Sequence, residues 1–470
     1  MTSPMPAHNP QTLPQIVVGA GLNGLMVADH LRTNGPVIVL EAADRCGGLL
    51  GSFDFGTHGR FDHGTHIFAE TGEAALDAYL QGLLPSEQWV QLRGHRRNFA
   101  GLVFNGHVQH HTLYPDLTSL PTDQYQACLD GLPVNDLGSE SAPNALEYLE
   151  RRYGSEIAKS VGVPIVEGFA KAPAADLSPL VTRLCPLDRL ALFDGPTTMQ
   201  KLGDPEISRR MAFVDQRELP ESEQSPLASF YPRTRGIGQA VEALEQRLVD
   251  AGVDIRTGVR IENLDPTDFG VELTMQDGTV LAAAHVYWTA NPLTMAGPAG
   301  VAVDYSMMDR PLTAVLCHLV LDEAPGLGDV HYLQVADAEY STYRYTNYDA
   351  FCPEGHQTGV PITVELLVDE PGDPTALLEV ALTEMAAIGI TDGAPAVQFS
   401  AVNVLPYGFP RPTLANMAAI SKVRNALADA VGDTVTMLGI GSRDDLFFMT
   451  DVLLASFVHV TQHQSATVGR

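Results

Sequence analysis

The chain has 470 residues, and its 57 acidic against 28 basic side chains give a formal net charge of −29, which disfavours nucleic acids and anionic membrane surfaces as partners. An apolar content of 45% and a charged content of 18% are typical of a globular protein, and a chain of 470 residues is too long for one core, so two or more domains are expected. Five scattered cysteines without a C-x-x-C pair, no apolar run long enough to span a bilayer and no secretory signal in the first 14 residues predict a cytoplasmic protein.

A βαβ unit is the first element predicted by the sequence. An apolar strand over residues 15–18 leads into the motif G-x-G-x-x-G, residues 19–24, and apolar residues at helical spacing follow over residues 25–33. A second apolar strand over residues 37–40 ends at Glu41. Strand, glycine turn, helix, strand and terminal acid in this order predict a dinucleotide-binding unit.

Each glycine of the turn has a physical role. Gly19 permits the tight turn, Gly21 lets a pyrophosphate approach the backbone, and Gly24 lets the helix pack against the strand. The pyrophosphate then lies at the N-terminus of the helix, where unpaired N–H groups and the helix dipole favour an anion. Glu41 is placed to accept hydrogen bonds from the ribose hydroxyls. The predicted cofactor residues of this unit are Gly19, Gly21, Leu22, Asn23, Gly24 and Glu41.

The residues after Glu41 distinguish NAD from FAD. Glu41-x-x-x-Arg45-x-Gly47-Gly48 resembles the E-x-x-x-R-x-G-G extension of FAD enzymes of the amine oxidase, protoporphyrinogen oxidase and UDP-galactopyranose mutase superfamily. In that superfamily the arginine and the glycine pair carry the chain past the cofactor's phosphates towards the flavin. The resemblance therefore implies FAD, held in part by Arg45, Gly47 and Gly48. No second complete G-x-G-x-x-G is present, so a separate NAD(P) domain is not expected.

Further elements follow along the chain. Helices are predicted over residues 73–83, 145–153, 155–163, 239–251, 375–387 and 418–430, and a final helix from about residue 451. Hairpins are predicted within residues 94–120, turned at Asn105-Gly106, and within residues 271–281, turned at Asp277-Gly278. Strands are predicted over residues 253–264, 285–292 and 434–438 and dominate residues 312–404, and a glycine turn is predicted over residues 439–441.

Nucleotide-binding signals lie at the start, in the middle and at the end of the chain. This distribution predicts an α/β fold in which a Rossmann-like (GR2-type) FAD-binding domain is discontinuous in sequence and carries an inserted α+β substrate domain. We expect the FAD-binding domain over residues 1–75, 226–292 and 405–470. The substrate-binding domain, with a helical insertion, is expected over residues 76–225 and 293–404.

Later segments extend the resemblance to the UDP-galactopyranose mutase and protoporphyrinogen-oxidase-like flavoproteins over nearly the whole chain. GTHIF, residues 64–68, is similar to the mutase motif G-P-H-I-F, whose histidine lies beside the flavin ring. YRYTN, residues 343–347, resembles T-R-I-T-E, whose arginine faces the substrate, and residues 405–410 are similar to P-Y-Y-P. Ile261 matches a strand whose backbone contacts adenine. The resemblance implies catalytic roles for His66 and Arg344, cofactor contacts for Gly64, Thr65 and Ile261, and substrate contacts for Tyr343 and Tyr407.

The C-terminal segment departs from the mutase pattern. Mutases have G-R-L-G-x-x-R-Y-L-D-M-D, with arginines near the flavin and the substrate diphosphate, whereas this chain has GIGSRDDLFFMTD over residues 439–451. Ile440 occupies the first arginine position, and the second is lost. Thr450 is predicted to cap the final helix, whose N-terminus would stabilise negative charge on the flavin. The residues implied in holding the flavin here are Gly441, Met449, Thr450 and Asp451.

The histidines and arginines of the chain are candidates for metal and anion binding. The histidines of residues 107–111 and 459–463 lack partners at recognisable ligand spacing, so no metal site is predicted. An anionic substrate would need local positive charge against the net charge of −29, and Arg235 is a candidate substrate contact together with Arg344.

Three functions are consistent with these residues. The leading prediction is an FAD-dependent oxidoreductase that transfers a hydride between a substrate carbon and flavin N5, with a small-molecule, anionic or sugar-like substrate. The alternative is a redox-neutral, mutase-like isomerase of nucleotide sugars that uses reduced FAD. A non-enzymatic binding protein similar to the GDP-dissociation inhibitors, which lack FAD, is disfavoured by the intact run from Glu41 to Gly48. A homodimer is compatible with each of the three.

Overall fold

The computed structural model describes residues 13–92, 100–352, 354 and 359–468. Within these ranges the strands are β1 (Gln15–Val18), β2 (Val37–Leu40), β3 (Ser52–Asp54), β4 (Arg60–Asp62), β5 (Phe68–Ala69), β6 (Trp89–Leu92), β7 (Ala100–Phe104), β8 (His107–Gln109), β9 (Ser229–Pro232), β10 (Asp254–Arg256), β11 (Ile261–Thr267), β12 (Gly270–Met275), β13 (Val280–Ala283), β14 (His285–Trp288), β15 (Leu312–Leu321), β16 (Tyr332–Val335), β17 (Thr342–Asn347), β18 (Val360–Val368), β19 (Val397–Phe409) and β20 (Val435–Met437).

The helices of the described residues are α1 (Leu22–Leu31), α2 (Ala74–Gln81), α3 (Thr122–Asp130), α4 (Ala145–Tyr153), α5 (Ser155–Ile157), α6 (Val163–Ala170), α7 (Val181–Leu184), α8 (Gly195–Lys201), α9 (Pro205–Ser208), α10 (Gly238–Asp250), α11 (Leu293–Ala296), α12 (Tyr348–Phe351), α13 (Pro374–Ile388), α14 (Leu414–Val431) and α15 (Met449–Val468). Across these residues, no helix is both long enough and apolar enough to cross a membrane.

A five-stranded parallel sheet is built from distant parts of the chain. Its strand order is β10-β2-β1-β14-β20, and each neighbouring pair is parallel. Both faces are buried, as parallel sheets require. Val17 and Val39 pack into a core with α1, α10 and α15, whereas Ile16 and Leu40 face the opposite core with β11, β12 and α14. The carboxyl ends of β1, β2, β14 and β20 therefore meet at one edge.

A seven-stranded mixed sheet forms a second layer, with the order β19-β15-β18-β17-β16-β7-β8. Side chains alternate between its faces with a period of two. One face is apolar: Cys317 and Val364 pack with Met385 of α13. The other face carries His318 and Glu365, which alternate with those apolar positions on β15 and β18. A buried polar face of this kind is where a polar ligand or a set of polar partners is expected.

The helices between α3 and α9 form a separate core that also contains Leu102 and Phe104 of β7. Arg210 lies at the centre of this region and is 1% exposed. Its guanidinium donates hydrogen bonds to four backbone carbonyls, those of Glu206, Pro133, Arg152 and Val134, at 2.8–3.0 Å. One side chain therefore joins chain segments that share no secondary structure.

Most predicted elements are confirmed, and some boundaries are wrong. The hairpins turn at Asn105-Gly106 and Asp277-Gly278 as expected, although residues 94–99 of the first lie outside the described residues. The strand predicted over residues 253–264 is instead two strands, β10 and β11, in different sheets. The chain turns between them at Gly258, whose φ of +68° favours glycine.

Three helix predictions need correction. The first helix begins at Leu22, directly after the N-cap Gly21, rather than at residue 25. The final helix begins at Met449, because the backbone N–H of Val452 donates to the carbonyl of Phe448 one turn earlier than expected. Thr450 is therefore in the first helical turn and is not the N-cap. In the helix predicted over residues 155–163, residues 158–162 form a π-helix before α6, whose second residue is a proline without an N–H.

We expect Arg210→Met to lower the free energy of unfolding by about 3 kcal/mol, because the substitution removes a buried side chain that donates to four backbone carbonyls. Urea denaturation followed by circular dichroism measures the change. Arg209→Met is the matched control: its side chain is 67% exposed, so a change within about 0.5 kcal/mol is expected. Equal losses in the two variants would contradict the structural role of Arg210.

Candidate functional site

The glycine turn after β1 leaves a gap beside the backbone. Gly19 has φ of +103°, and a Cβ on Gly24 would lie 1.9 Å from the carbonyl oxygen of Gly19, so neither position accepts a side chain. A Cβ on Gly21, in contrast, would meet nothing nearer than the carbonyl oxygen of Gly47 at 3.9 Å. The N-terminus of α1 thus opens onto free space at Gly21, where an anion can approach the backbone N–H groups.

A second glycine segment lies directly against this turn. Gly47 donates a backbone hydrogen bond to Ala20 at 3.0 Å and forms a parallel bridge with Gly21. A Cβ on Gly48 would lie 3.3 Å from the Cα of Gly21, and φ of Gly48 is +57°. The two predicted glycine motifs are therefore brought together, and their backbones form the two sides of one cradle.

Glu41 lies at the rim of this cradle. One carboxylate oxygen accepts a hydrogen bond from the backbone N–H of Ala20 at 2.6 Å, and the other accepts from Ala43 at 2.8 Å. Its own carbonyl accepts from the N–H of Val259, two residues before Ile261 at the start of β11. The carboxylate is thus held beside the glycine turn, and the segment leading to Ile261 runs alongside it.

The C-terminal part of the chain closes the cradle on the far side of α1. The side-chain amide of Asn23 donates to the carbonyl of Leu438 at 3.0 Å, directly after β20. A Cβ on Gly439 would lie 2.1 Å from the carbonyl oxygen of Ala290, so β20 and β14 meet closely here. Gly441 follows with φ of +80°, and Met449, Thr450 and Asp451 form the half-buried start of α15.

Direct contacts lead from the cradle to the mixed sheet. The ring of His63 hydrogen-bonds through Nδ1 to the carbonyl of Gly48 at 3.2 Å. The next residue, Gly64, has φ of +118°, and a Cβ there would lie 3.3 Å from Glu365 and 3.6 Å from Arg344. The two glycine motifs and the predicted catalytic Arg344 are therefore parts of one continuous site.

Arg344 and Glu365 form a two-point ion pair across β17 and β18. The guanidinium Nε and Nη2 donate to the two carboxylate oxygens at 2.9 and 2.8 Å. Burial by itself would lower the pKa of Arg344 and raise that of Glu365, but their mutual attraction outweighs burial. The pKa of Arg344 is therefore raised and that of Glu365 lowered, so both groups are ionised at neutral pH.

The same carboxylate holds the loop that carries His66. Glu365 accepts hydrogen bonds from the backbone N–H of Thr65 at 3.0 Å and from its hydroxyl at 3.1 Å. Burial, followed by the nearby charge of Arg344, lowers the pKa of His66 to about 4. The imidazole of His66 is thus neutral at pH 7 and can donate or accept a hydrogen bond without carrying charge.

A β-bulge places Tyr343 beside Arg344. Thr342 pairs with Leu366 and Arg344 with Glu365, so Tyr343 is an extra residue in β17. Its ring lies over Arg344 at 5.1 Å and packs with Leu367 on the polar face of the sheet. Tyr343 also lines a cleft of about 470 Å³, together with Phe169 and Gln334. The bulge therefore places Tyr343 in contact with both Arg344 and the cleft.

The short helix α7 connects this cleft to the start of α15. Gln334, which pairs with Arg344 in the sheet, donates to the carbonyl of Leu184 at 3.3 Å. Arg183 of α7 stacks on the ring of Phe448 at 4.7 Å and lies 3.9 Å from Asp451. The N-terminus of α15 and the Arg344 pair are thus separated by one short helix.

Arg235, Arg45 and Tyr407 were also predicted at the site. Arg235 is 4% exposed and lies over the ring of Phe61 at 4.3 Å, with the carbonyl of His58 as a hydrogen-bond acceptor. The structure does not bring it together with Arg344. Arg45 lies 5.6 Å from the ring of Phe53, and Tyr407 lies on β19 with its side chain outside the described residues.

Sequence reasoning missed Glu365 and His318. A glutamate inside the apolar strand ITVELLV is the signal for the first, because a buried carboxylate requires a partner. His318 is 0% exposed, and its Nδ1 hydrogen-bonds Thr363 at 2.9 Å. The described residues contain no group of three or more His, Cys, Asp or Glu side chains that could hold a metal ion.

The sequence was compared with known families and proteins. The family model described as flavin containing amine oxidoreductase matches residues 22–333, more than half of the chain. The chain belongs to this family. It is therefore a flavoprotein of an oxidoreductase family, and its cofactor is FAD. A search of curated protein sequences found no match.

Solved structures share the fold of this flavoprotein. A reduced UDP-galactopyranose mutase has a TM-score of 0.73 at 15% identity, with 97% of this chain and 96% of that chain covered. A putative protoporphyrinogen oxidase from Exiguobacterium sp. 255-15 has a TM-score of 0.69 at 16% identity, covering 97% and 99%. Cyclohexylamine oxidase from Brevibacterium oxydans has a TM-score of 0.60 at 14% identity, covering 96% and 100%. At these identities the likeness establishes a mixed α/β fold with a parallel sheet.

The residues of the cradle fit FAD on structural grounds. Gly21 faces open space between two glycine-rich backbones, as a pyrophosphate site requires. Asn23 Oδ1 and His63 Nε2 are buried polar atoms without a hydrogen-bond partner among the described residues. Buried polar atoms are rarely left unpaired, so both are suited to contact a bound polar ligand.

His318 provides a test of the polar face through pH. Burial, with smaller contributions from His63 and Arg235, lowers the pKa of His318 to about 3. The unfolded chain, with a histidine pKa of about 6.5, binds this proton more readily, so the wild type loses stability as pH falls below about 6.5. The substitution His318→Phe removes this pH-dependent contribution to stability.

We expect the stability of the wild type relative to His318→Phe to fall by about 1.4 kcal/mol between pH 7.5 and 5.5. Urea denaturation at the two pH values measures it, and both lie above the isoelectric point of about 4.7. His107→Phe, at an exposed position, is the control and should leave the wild-type pH dependence unchanged. A pH-independent difference between wild type and His318→Phe would contradict the buried, uncharged imidazole.

Proposed function

We propose that this flavoprotein is an oxidoreductase that transfers a hydride between a carbon of a small-molecule substrate and N5 of FAD. The observation that carries the proposal is the continuous site from the two glycine motifs to the Arg344–Glu365 pair. FAD supplies a two-electron acceptor and donor when bound. The protein's own residues then bind both reactants, orient them and exclude water.

The proposed domains follow the parallel sheet. Its strands β1 and β2, β10 and β14, and β20 come from residues 1–75, 226–292 and 405–470, which we assign to a discontinuous, Rossmann-like FAD-binding domain. Residues 76–225 and 293–404 are assigned to the substrate-binding domain, and they contain most of the mixed sheet and the helices α3–α9. The site lies where the two sets of elements meet.

Residue roles follow from position. The cradle holds the cofactor's pyrophosphate at the N-terminus of α1, and Glu41 accepts from the ribose hydroxyls. The first turn of α15 offers backbone N–H groups that favour negative charge on a reduced flavin. Arg344 and the neutral His66 orient the reactants by hydrogen bonds. The proposed cofactor residues are Gly19, Gly21, Leu22, Asn23, Gly24, Glu41, Arg45, Gly47, Gly48, Gly64, Thr65, Ile261, Gly441, Met449, Thr450 and Asp451, and the proposed substrate residues are Tyr343 and Tyr407.

A redox-neutral mutase is the second candidate, favoured by the TM-score of 0.73 with the UDP-galactopyranose mutase. Such chemistry requires arginines that hold a nucleoside diphosphate. Arg443, near the lost arginine position, is 61% exposed and paired with Asp445, and Arg233 is paired with Glu354 at 3.2 Å. Because both arginines are already paired with carboxylates, they are poorly suited to hold a diphosphate, and this favours the oxidoreductase.

We expect Glu41→Ala to weaken FAD binding at least tenfold, because the ribose loses a charged acceptor worth about 1.5–3 kcal/mol. Equilibrium dialysis of FAD against the apoprotein measures the dissociation constant. Glu262→Ala, at an exposed position on β11, is the control and should bind FAD as the wild type does. Undiminished binding by Glu41→Ala would contradict the assignment of the cradle.

Anaerobic spectroscopy distinguishes the two candidate reactions. We expect the oxidised flavin to be bleached by a substrate found in a small-molecule screen, with one substrate molecule oxidised for each flavin reduced. The comparison reaction offers UDP-galactopyranose to the reduced protein. Isomerisation in the reduced state without net electron transfer would establish the mutase and overturn the proposed oxidoreductase.

A further inference from the structure

We propose that the substrate reacting at this site is electrically neutral at the end that meets Arg344, and that Glu365 determines this selectivity. The inference rests on the proposed function, because it concerns the substrate of that same site. It replaces the expectation, drawn from the arginines in the sequence, of an anionic substrate. Its basis is the balance of charge around Arg344 and the shape of the adjoining cleft.

The charge of Arg344 is neutralised within the protein. Glu365 accepts from two nitrogens of the guanidinium, and the exposed fractions of the two side chains are 19% and 6%. A pair this close and this buried presents little net charge to a ligand. An approaching carboxylate or phosphate would meet the repulsion of Glu365 together with the attraction of Arg344. A hydroxyl, carbonyl or ether oxygen would accept a hydrogen bond without that repulsion.

The fold prevents Glu365 from moving away to admit an anion. Its carboxylate also accepts from the N–H and hydroxyl of Thr65 and, at 3.4 Å, from the hydroxyl of Thr346. Gly64 packs against it so closely that even a Cβ would lie 3.3 Å from its oxygen. Movement of Glu365 away from Arg344 would therefore also break its hydrogen bonds with Thr65 and Thr346, each costing about 1–3 kcal/mol.

Other cations around the cleft do not offer a buried anion site. Arg183 is 54% exposed and lies 3.9 Å from Asp451. Lys171, which lines the cleft, is exposed, and Asp337 lines the same cleft. Within the described residues around Arg344, each cation is thus exposed or faces a carboxylate. The net charge of −29 further opposes an anionic substrate.

The cleft that begins at Tyr343, the neighbour of Arg344, has aromatic side chains on one side. Phe169, Tyr343 and Phe409 form a cluster of three rings with centroids 5.1–5.9 Å apart. The cleft that Phe169 and Tyr343 line encloses about 470 Å³, which includes space open to solvent, and polar side chains such as Gln334 and Thr342 also line it. Aromatic walls of this kind bind apolar groups and exclude water. The geometry therefore selects a molecule with an apolar body and a neutral hydrogen-bond acceptor at the reacting end.

Benzoate and benzamide form a probe pair of nearly equal size that differs in charge. Each is titrated into the FAD-bound protein, and binding is followed by the change in the visible flavin spectrum. We expect the wild type to bind benzoate no more tightly than benzamide. In Glu365→Gln, which leaves the charge of Arg344 unbalanced, benzoate affinity should rise at least tenfold while benzamide affinity changes less than threefold.

Two further variants separate charge from general disruption. Arg344→Gln/Glu365→Gln should lose the gain in benzoate affinity, because no unbalanced cation remains. Glu242→Gln breaks the exposed pair between Arg60 and Glu242 and should behave as the wild type. Tighter binding of benzoate than benzamide by the wild type, or no gain in Glu365→Gln, overturns the proposal. The wild-type comparison stands even if Glu365→Gln does not fold.

The outcome is distinguishable from failure of the proposed function. A preparation that binds FAD and is reduced by a substrate, yet prefers benzoate, overturns only the inference about charge. If no substrate reduces the flavin and the reduced protein isomerises a nucleotide sugar, the proposed reaction is overturned as well.

Discussion

The buried ion pair between Arg344 and Glu365 is the constraint on which the site depends. It joins two neighbouring strands, fixes the loop of Gly64 and Thr65 through two hydrogen bonds from Thr65, and sets the charge around His66. A buried carboxylate costs free energy unless its lone pairs are occupied, and here guanidinium, amide and hydroxyl donors occupy them. The sheet can therefore present a polar face inside the protein without a net charge.

The parallel sheet brings the two glycine motifs of the site together. Its strands end together at one edge, which is where nucleotides bind in open α/β sheets. The two glycine motifs lie on each other there because neither carries a side chain at Gly21 or Gly48. His63 then spans from Gly48 to the loop held by Glu365. The cradle and the ion pair are therefore connected through the contacts of a few residues.

Local patterns in the sequence predicted the elements whose cause is local. The βαβ unit, both hairpin turns and most of the helices follow from glycine positions and apolar periodicity, and the structure has them nearly as expected. Pairing between distant strands has no local signal. Residues 253–264 divide into two strands because the chain turns at Gly258, whose N–H donates to the carbonyl of Ala43 in the segment after β2. This contact belongs to the tertiary fold and has no local signal in the sequence.

The same distinction between local and tertiary causes applies to the residues of the site. Motif spacing identifies the glycine motifs and Glu41, and the resemblance to the mutase segment identifies Arg344, whereas Glu365 lies in a strand that matches no motif. Its partner lies 21 residues earlier in the chain, so the ion pair depends on strand register. Arg235 was expected at the substrate because of its charge, but charge alone does not say that a residue is buried beneath an aromatic ring.

A crystal structure of the FAD-bound protein tests the account most directly. The account predicts the pyrophosphate at the N–H groups of α1 beside Gly21, and the flavin ring between the loop of His66 and the start of α15. The Arg344–Glu365 pair should remain intact next to that ring. A flavin bound away from this loop, or an Arg344 released from Glu365 to hold an anion, would contradict it.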